Sequence, residues 1–166
     1  MKSQVLVFYF VSIIFLIKNN SNAQVTPFVS TTWNQGCYYN ANCPTVGSGG
    51  ACGRAWTGCG ATAFGQVLYY AYPNNGWPGN YCNSLFPLLC EDVGTESYNY
   101  TLMPNALSSP NTEVAKLLYH LGITLDMAWS GSSSNSGPNA NHFKRFWKYS
   151  LSTRNAIKAM YSNTAW

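Results

Sequence analysis

The 166 residues carry nine Lys or Arg against five Asp or Glu, a formal charge of +4. Two of those lysines, Lys2 and Lys18, fall in an N-terminal segment that reads as removable; the seven bases left nearly balance the five acids, so neither a nucleic-acid nor a membrane-surface partner is implied. Charged residues are only 8% of the chain, so solubility must rest on the neutral hydrogen-bonding groups of Asn, Ser, Thr and Gly.

Met1-Lys2 is followed by an apolar block from Val5 to Ile17 and a polar stretch ending in Ser21-Asn22-Ala23. A positive start, an apolar run too short to span a bilayer comfortably and small residues at its end read as a secretory signal peptide over residues 1–23, cleaved before Gln24. A retained N-terminal anchor is the alternative. Export predicts a secreted, extracellular protein with no membrane contact after cleavage, and it places the six cysteines in an oxidising compartment. Residues 24–166 suffice for one domain with its own core.

From Gln24 to Arg54 the chain is rich in Gly, Pro, Asn and Cys, with turn signals every few residues, and reads as loop. Gly60, Phe64, Val67, Leu68 and Ala71 then recur at helical spacing, predicting a helix that starts at Cys59 and stops before Pro73. Residues 74–99 return to loop. A second helix is expected from Pro110 to Leu121, capped by Ser109, carrying a stripe of Val114, Leu117, Leu118 and Leu121, and ended by Gly122. Alternation of Ile123, Leu125, Met127 and Trp129 predicts a short strand, and Ser130 to Gly137 a flexible loop. A third helix is expected after Pro138, with Ala140, Phe143, Phe146 and Trp147 facing inward. Ser162 then reads as the cap of an element interrupted at Trp166.

Cys59 is flanked by Gly58 and Gly60, so a substrate backbone can come close to the sulfur. A thiol attacks as its thiolate, a form that the unpaired amides of a helix's first turn stabilise, and the same amides can hold an oxyanion. In an exported chain the competing role is half of a disulfide. Cys37 could close a small loop with Cys43, and Cys82 with Cys90, which leaves Cys52 and Cys59 over; parity does not decide between a last disulfide and a nucleophile. Cys37, Cys43 and Cys52 lack paired C-x-x-C spacing, so no metal site is expected, and no cofactor is implied.

Asn34-Gln35, Tyr39-Asn40, Thr57-Gly58-Cys59-Gly60-Ala61-Thr62-Ala63 and Tyr72-Pro73-Asn74-Asn75-Gly76 fall in order and at matching spacing. In these motifs, and in the later run from Met103 to Gly137, the chain resembles the streptopain-like secreted cysteine peptidases over nearly all of residues 30–150. The resemblance implies an α+β, papain-like fold, in which a helical lobe bears the cysteine and a β-rich lobe bears the histidine. It implies that Cys59 is the nucleophile, acylated to a thioester, and that Gln35 contributes to the oxyanion hole. A side-chain amide and the Cys59 backbone N–H would face the developing negative oxygen.

The family's histidine arrives near a Gly-His pair well past the Gly/Ser-rich loop. Only His120 and His142 stand in this sequence, each expected to be an ordinary, partly exposed helix histidine. Residues 24–166 therefore read as the N-terminal part of a truncated peptidase domain, with the β-rich histidine lobe largely missing. Family-like sequence begins about ten residues past the expected cleavage site, too close for a linked inhibitory prodomain to fold. The expected function is a secreted cysteine endopeptidase acting on protein or peptide substrates, with little or no activity in this chain without its C-terminal lobe. The alternative is a non-catalytic secreted binding module derived from a peptidase lobe.

Overall fold

A computed structural model describes residues 27–71, 79–85 and 88–136. The signal segment, the expected third helix with His142, and the interrupted terminal element lie outside the described residues.

Helix α1 spans Cys59–Ala71. Gly58 has φ +92°, a left-handed conformation that ends the preceding extended chain and starts the helix cleanly. Thr62 seals the first turn, its N–H and its hydroxyl both donating to the Gly58 carbonyl at 3.1 Å. Ala61, Phe64 and Leu68 form the buried stripe, at the spacing of one helical face.

Helix α2 spans Thr112–Thr124 and is displaced from its expected bounds at both ends. Asn111, not Ser109, is the N-cap: its backbone is extended and its Oδ1 accepts the Val114 N–H at 2.9 Å. Its Nδ2 also donates to the Leu102 carbonyl, a tertiary anchor that Ser109 lacks the reach to make. The helix runs through Gly122, where a side chain would overlap the Trp129 indole, so that glycine serves packing and not termination. The stop comes from Asp126, at φ +56°, whose N–H donates to the Ile123 carbonyl while that of Met127 donates to Gly122. This pair of bonds is a Schellman cap with aspartate in the left-handed position usually given to glycine.

The strand expected over residues 123–129 is thus replaced by a helix end. What remains of it is a two-bond bridge between Ala128 and Asn135. The alternation was a true burial signal, since Ile123, Leu125, Met127 and Trp129 are all buried. Residues expected to be loop instead supply a hairpin, with β1 (Asn80–Asn83) antiparallel to β2 (Leu89–Asp92). Buried Asn83 donates to the Met127 carbonyl, and the Asp126 carboxylate takes the Ser84 N–H and hydroxyl. The hairpin is thereby fixed to the end of α2.

Cys82 pairs with Cys90 across this hairpin, as their spacing allowed. The other expected pairing is corrected: Cys37 bonds Cys52, and Cys43 is buried and free. Asn40 accounts for the exchange. Its Nδ2 donates to the carbonyls of Ala51 and Ala55 at 2.8 and 3.0 Å, with a longer contact to that of Arg54, drawing residues 51–55 against the turn that holds Cys37. Burial pushes the Cys43 thiol up to about 12, partly offset by the Trp129 side chain and the Arg54 charge.

α1 packs on α2 at Gly65, where a Cβ would overlap the end of Leu118. Leu68, Leu117, Leu118 and Leu121 are wholly buried in this contact layer. Each contributes roughly 1.5–3 kcal/mol of transfer free energy, and the layer is what holds the head of α1 still.

His120 is buried rather than partly exposed, and its Nδ1 shares a 2.7 Å hydrogen bond with the Tyr98 hydroxyl. Burial holds its imidazole below the usual 6.5, against the opposing pull of Glu96 and Glu91 and with a smaller push from Lys116. The unfolded chain therefore binds more protons than the folded one just below pH 6.5, so stability falls as pH drops through that value. A single such group gives a slope of at most about 1.4 kcal/mol per pH unit. Thermal melts of the native chain and of His120→Gln between pH 5 and 7.5 test this. The substitution should flatten the acid side, and equal slopes would contradict the account.

Candidate active site

Cys59 heads α1, is free, and is exposed. It opens into a cleft of about 880 Å³ that Gln35 also lines, so the two residues singled out from the sequence are brought to one place. Their backbones are linked as well: the Thr57 N–H, two residues before Cys59, donates to the Gln35 carbonyl at 3.2 Å.

One wall is the turn from Asn34 to Asn40. The Gly36 carbonyl accepts from the N–H groups of Tyr39 and Asn40 at 3.0 Å each, and the Asn34 Oδ1 accepts the Gly36 N–H at 2.9 Å. Tyr38 sits at φ +73°, an uncommon conformation for a bulky side chain, at the edge of the cleft. The Tyr39 hydroxyl accepts from the Leu107 N–H at 2.7 Å and ties in the residue on the far side.

The opposite wall is the serine-rich segment, expected to be flexible. Over residues 130–136 it is instead closely bonded. The Ser130 hydroxyl accepts from the N–H groups of Ser132 and Ser133 at 3.1 and 3.0 Å, and the Trp56 indole N–H donates to the Gly131 carbonyl at 3.0 Å. Met127 lies over Gly58, where a Cβ would overlap its thioether, so the turn into α1 packs against the buried segment that follows α2.

His120, the histidine among the described residues, does not line the cleft and faces Tyr98; His142 lies outside them. No group of three His, Cys, Asp or Glu there could hold a metal ion. Sequence reasoning missed Trp56, Tyr38 and Leu107 as walls. Trp56 stands one residue before Thr57-Gly58-Cys59, and its aromatic size beside a glycine-rich turn was the available signal.

A two-helix, two-strand α+β lobe with a free cysteine at the head of its first helix has the fold of the papain-like cysteine peptidases. The chain belongs to the peptidase C10 family, whose family model matches residues 33–166. It is similar to the active wild-type interpain A cysteine protease of Prevotella intermedia, at 27% identity and TM-score 0.64, over 75% of this chain and 55% of that one. A Prevotella intermedia prointerpain A fragment is similar at the same identity and TM-score, over 74% and 42%. The chain thus spans about half the length of these solved relatives. No curated protein matches it.

Proposed function

We propose that this chain is the cysteine-bearing part of an exported endopeptidase, with Cys59 as nucleophile and Gln35 as an oxyanion donor. The observation that carries the reading is a free, exposed thiol at a helix head, in one cleft with Gln35. The Cys59 thiol gives its proton to a base, its sulfur attacks the substrate carbonyl carbon as the thiolate, and as the C–S bond forms the carbonyl π electrons move to oxygen. The Gln35 side-chain amide and the Cys59 N–H donate to that oxygen. Collapse expels the amine and leaves a thioester, which water then hydrolyses. The acid that protonates the leaving amine is contributed from outside the described residues, since His120 is committed to Tyr98.

Two disulfides fit the oxidising compartment that a signal peptide over residues 1–23 would deliver the chain to. The second reading is a secreted binding lobe without turnover, derived from a peptidase lobe. Both readings leave the cleft as the site where peptide is held.

An epoxide or iodoacetamide probe at mildly acidic pH should label Cys59 and spare Cys43, whose thiol is buried. Peptide mapping by mass spectrometry reads the result. Equal labelling of both thiols, or none at Cys59, would remove the basis for a nucleophile here.

A further inference from the structure

An amide can stabilise an oxyanion only when its backbone is fixed relative to the second donor to within about half an ångström. For Gln35 that backbone is the Gln35–Gly36 peptide, and both of its polar ends are engaged. Its carbonyl takes the Thr57 N–H at 3.2 Å, and its N–H goes to the Asn34 Oδ1 at 2.9 Å. The first bond is long, so the shorter bond to Asn34 is the tighter of the two clamps. Gly36 is buried, and a Cβ there would come within 3.2 Å of the Trp56 ring. Gly36 therefore has little room for a side chain, which keeps this turn close against Trp56.

We propose that Asn34 is a positioning residue: its side-chain oxygen locks the Gln35–Gly36 peptide so that the Gln35 side chain meets the oxyanion formed at Cys59. This rests on the reading of Cys59 and Gln35 given above. Asn34 acts through its acceptor oxygen and not through its amide hydrogens, and a substitution series can separate those two. Asp keeps the acceptor and loses the donors, Ser keeps a weaker acceptor, and Ala keeps neither.

The probe is a peptide aldehyde, acetyl-phenylalanyl-glycinal. Its carbonyl carbon takes the Cys59 sulfur while the thiol proton ends on the former carbonyl oxygen, giving a hemithioacetal whose oxygen occupies the oxyanion position. Iodoacetamide alkylation, which forms no oxyanion, is the companion measurement, and an unlabelled Cys43 reports an intact fold. Binding is measured in about 1 M salt, where the added carboxylate of Asp is screened within about 3 Å.

Asn34→Ala should weaken aldehyde binding about tenfold, with the Cys59 alkylation rate within about twofold of native. Asn34→Ser should fall between, and Asn34→Asp should return to near the native affinity. Native-like affinity in Asn34→Ala, with Gln35→Ala weakened, overturns the positioning role and leaves the oxyanion reading standing. Unchanged affinity in Gln35→Ala, or no aldehyde binding by the native chain, overturns that reading and the proposal with it. Failure of Asn34→Asp to recover, or parallel losses of alkylation and affinity across the series, also overturns it. Should Asn34→Ala expose Cys43, the comparison of Ser with Asp decides.

Discussion

If Cys59 is the nucleophile as proposed, replacing it with alanine should abolish peptide hydrolysis, with kcat falling by roughly six orders of magnitude, as loss of a covalent nucleophile does elsewhere. In the proposed mechanism the thiol forms and later loses the only covalent bond to the acyl group, and no other described cysteine is placed to substitute for it. Cys37, though it also lines the cleft, is held in a disulfide, and Cys43 is buried. Stability should hardly change, because Cys59 is exposed and Gly58 and Thr62 carry the start of the helix. Steady-state hydrolysis of a peptide substrate, with a thermal melt alongside, checks both statements. Residual turnover above about one thousandth of native would place the nucleophile elsewhere.

Asn40→Asp should be among the most damaging substitutions in the described fold. Asn40 is 1% exposed, and its Nδ2 supplies the hydrogens for three backbone carbonyls of residues 51–55. Its Oδ1 has no partner among the described residues, so the amide's orientation is set wholly by what its nitrogen donates to. Aspartate offers no hydrogen when ionised, and it would set a buried carboxylate against carbonyl oxygens of like partial charge. The loss is about 3–5 kcal/mol, from unsatisfied acceptors and an uncompensated buried charge. That is a large part of the 5–15 kcal/mol that keeps a typical domain folded. Urea unfolding reads it as a shift in midpoint, and a change below about 1 kcal/mol would mean that the 51–55 segment is held by other means.

The helix that Cys59 heads was legible in the sequence because its signal is local. Cys59 needs only its glycine neighbours and the helix behind it, and Gln35 lies in a run of motif residues that keep their order and spacing. The pairing of Cys37 was not legible, because it depends on Asn40 folding residues 51–55 back, a contact across more than ten positions that spacing does not encode. The end of α2 was misplaced for a related reason. Gly122 reads as a stop, yet its missing side chain serves Trp129, while Asp126 takes the left-handed turn that glycine was expected to supply. The β1–β2 hairpin went unseen because its four-residue strands barely alternate, and the bonds that fix it to α2 come from Asn83 and Asp126, residues more often found in turns. His120, expected to be partly exposed at the edge of the stripe, is buried, and its partner Tyr98 belongs to a stretch with no periodic pattern.

The Cys37–Cys52 bond sets a limit on the conditions in which such a site can work. Cys52 is exposed, and Cys37 stands two residues past Gln35 on the cleft wall. A strong reductant has access to this bridge through exposed Cys52, and opening it would release the turn that carries Gln35 from residue 52. An oxidant spares the bridge and caps the free Cys59 thiol. The cleft therefore sets a free thiol and a disulfide side by side, and the proposed chemistry asks the first to stay reduced while the second stays closed.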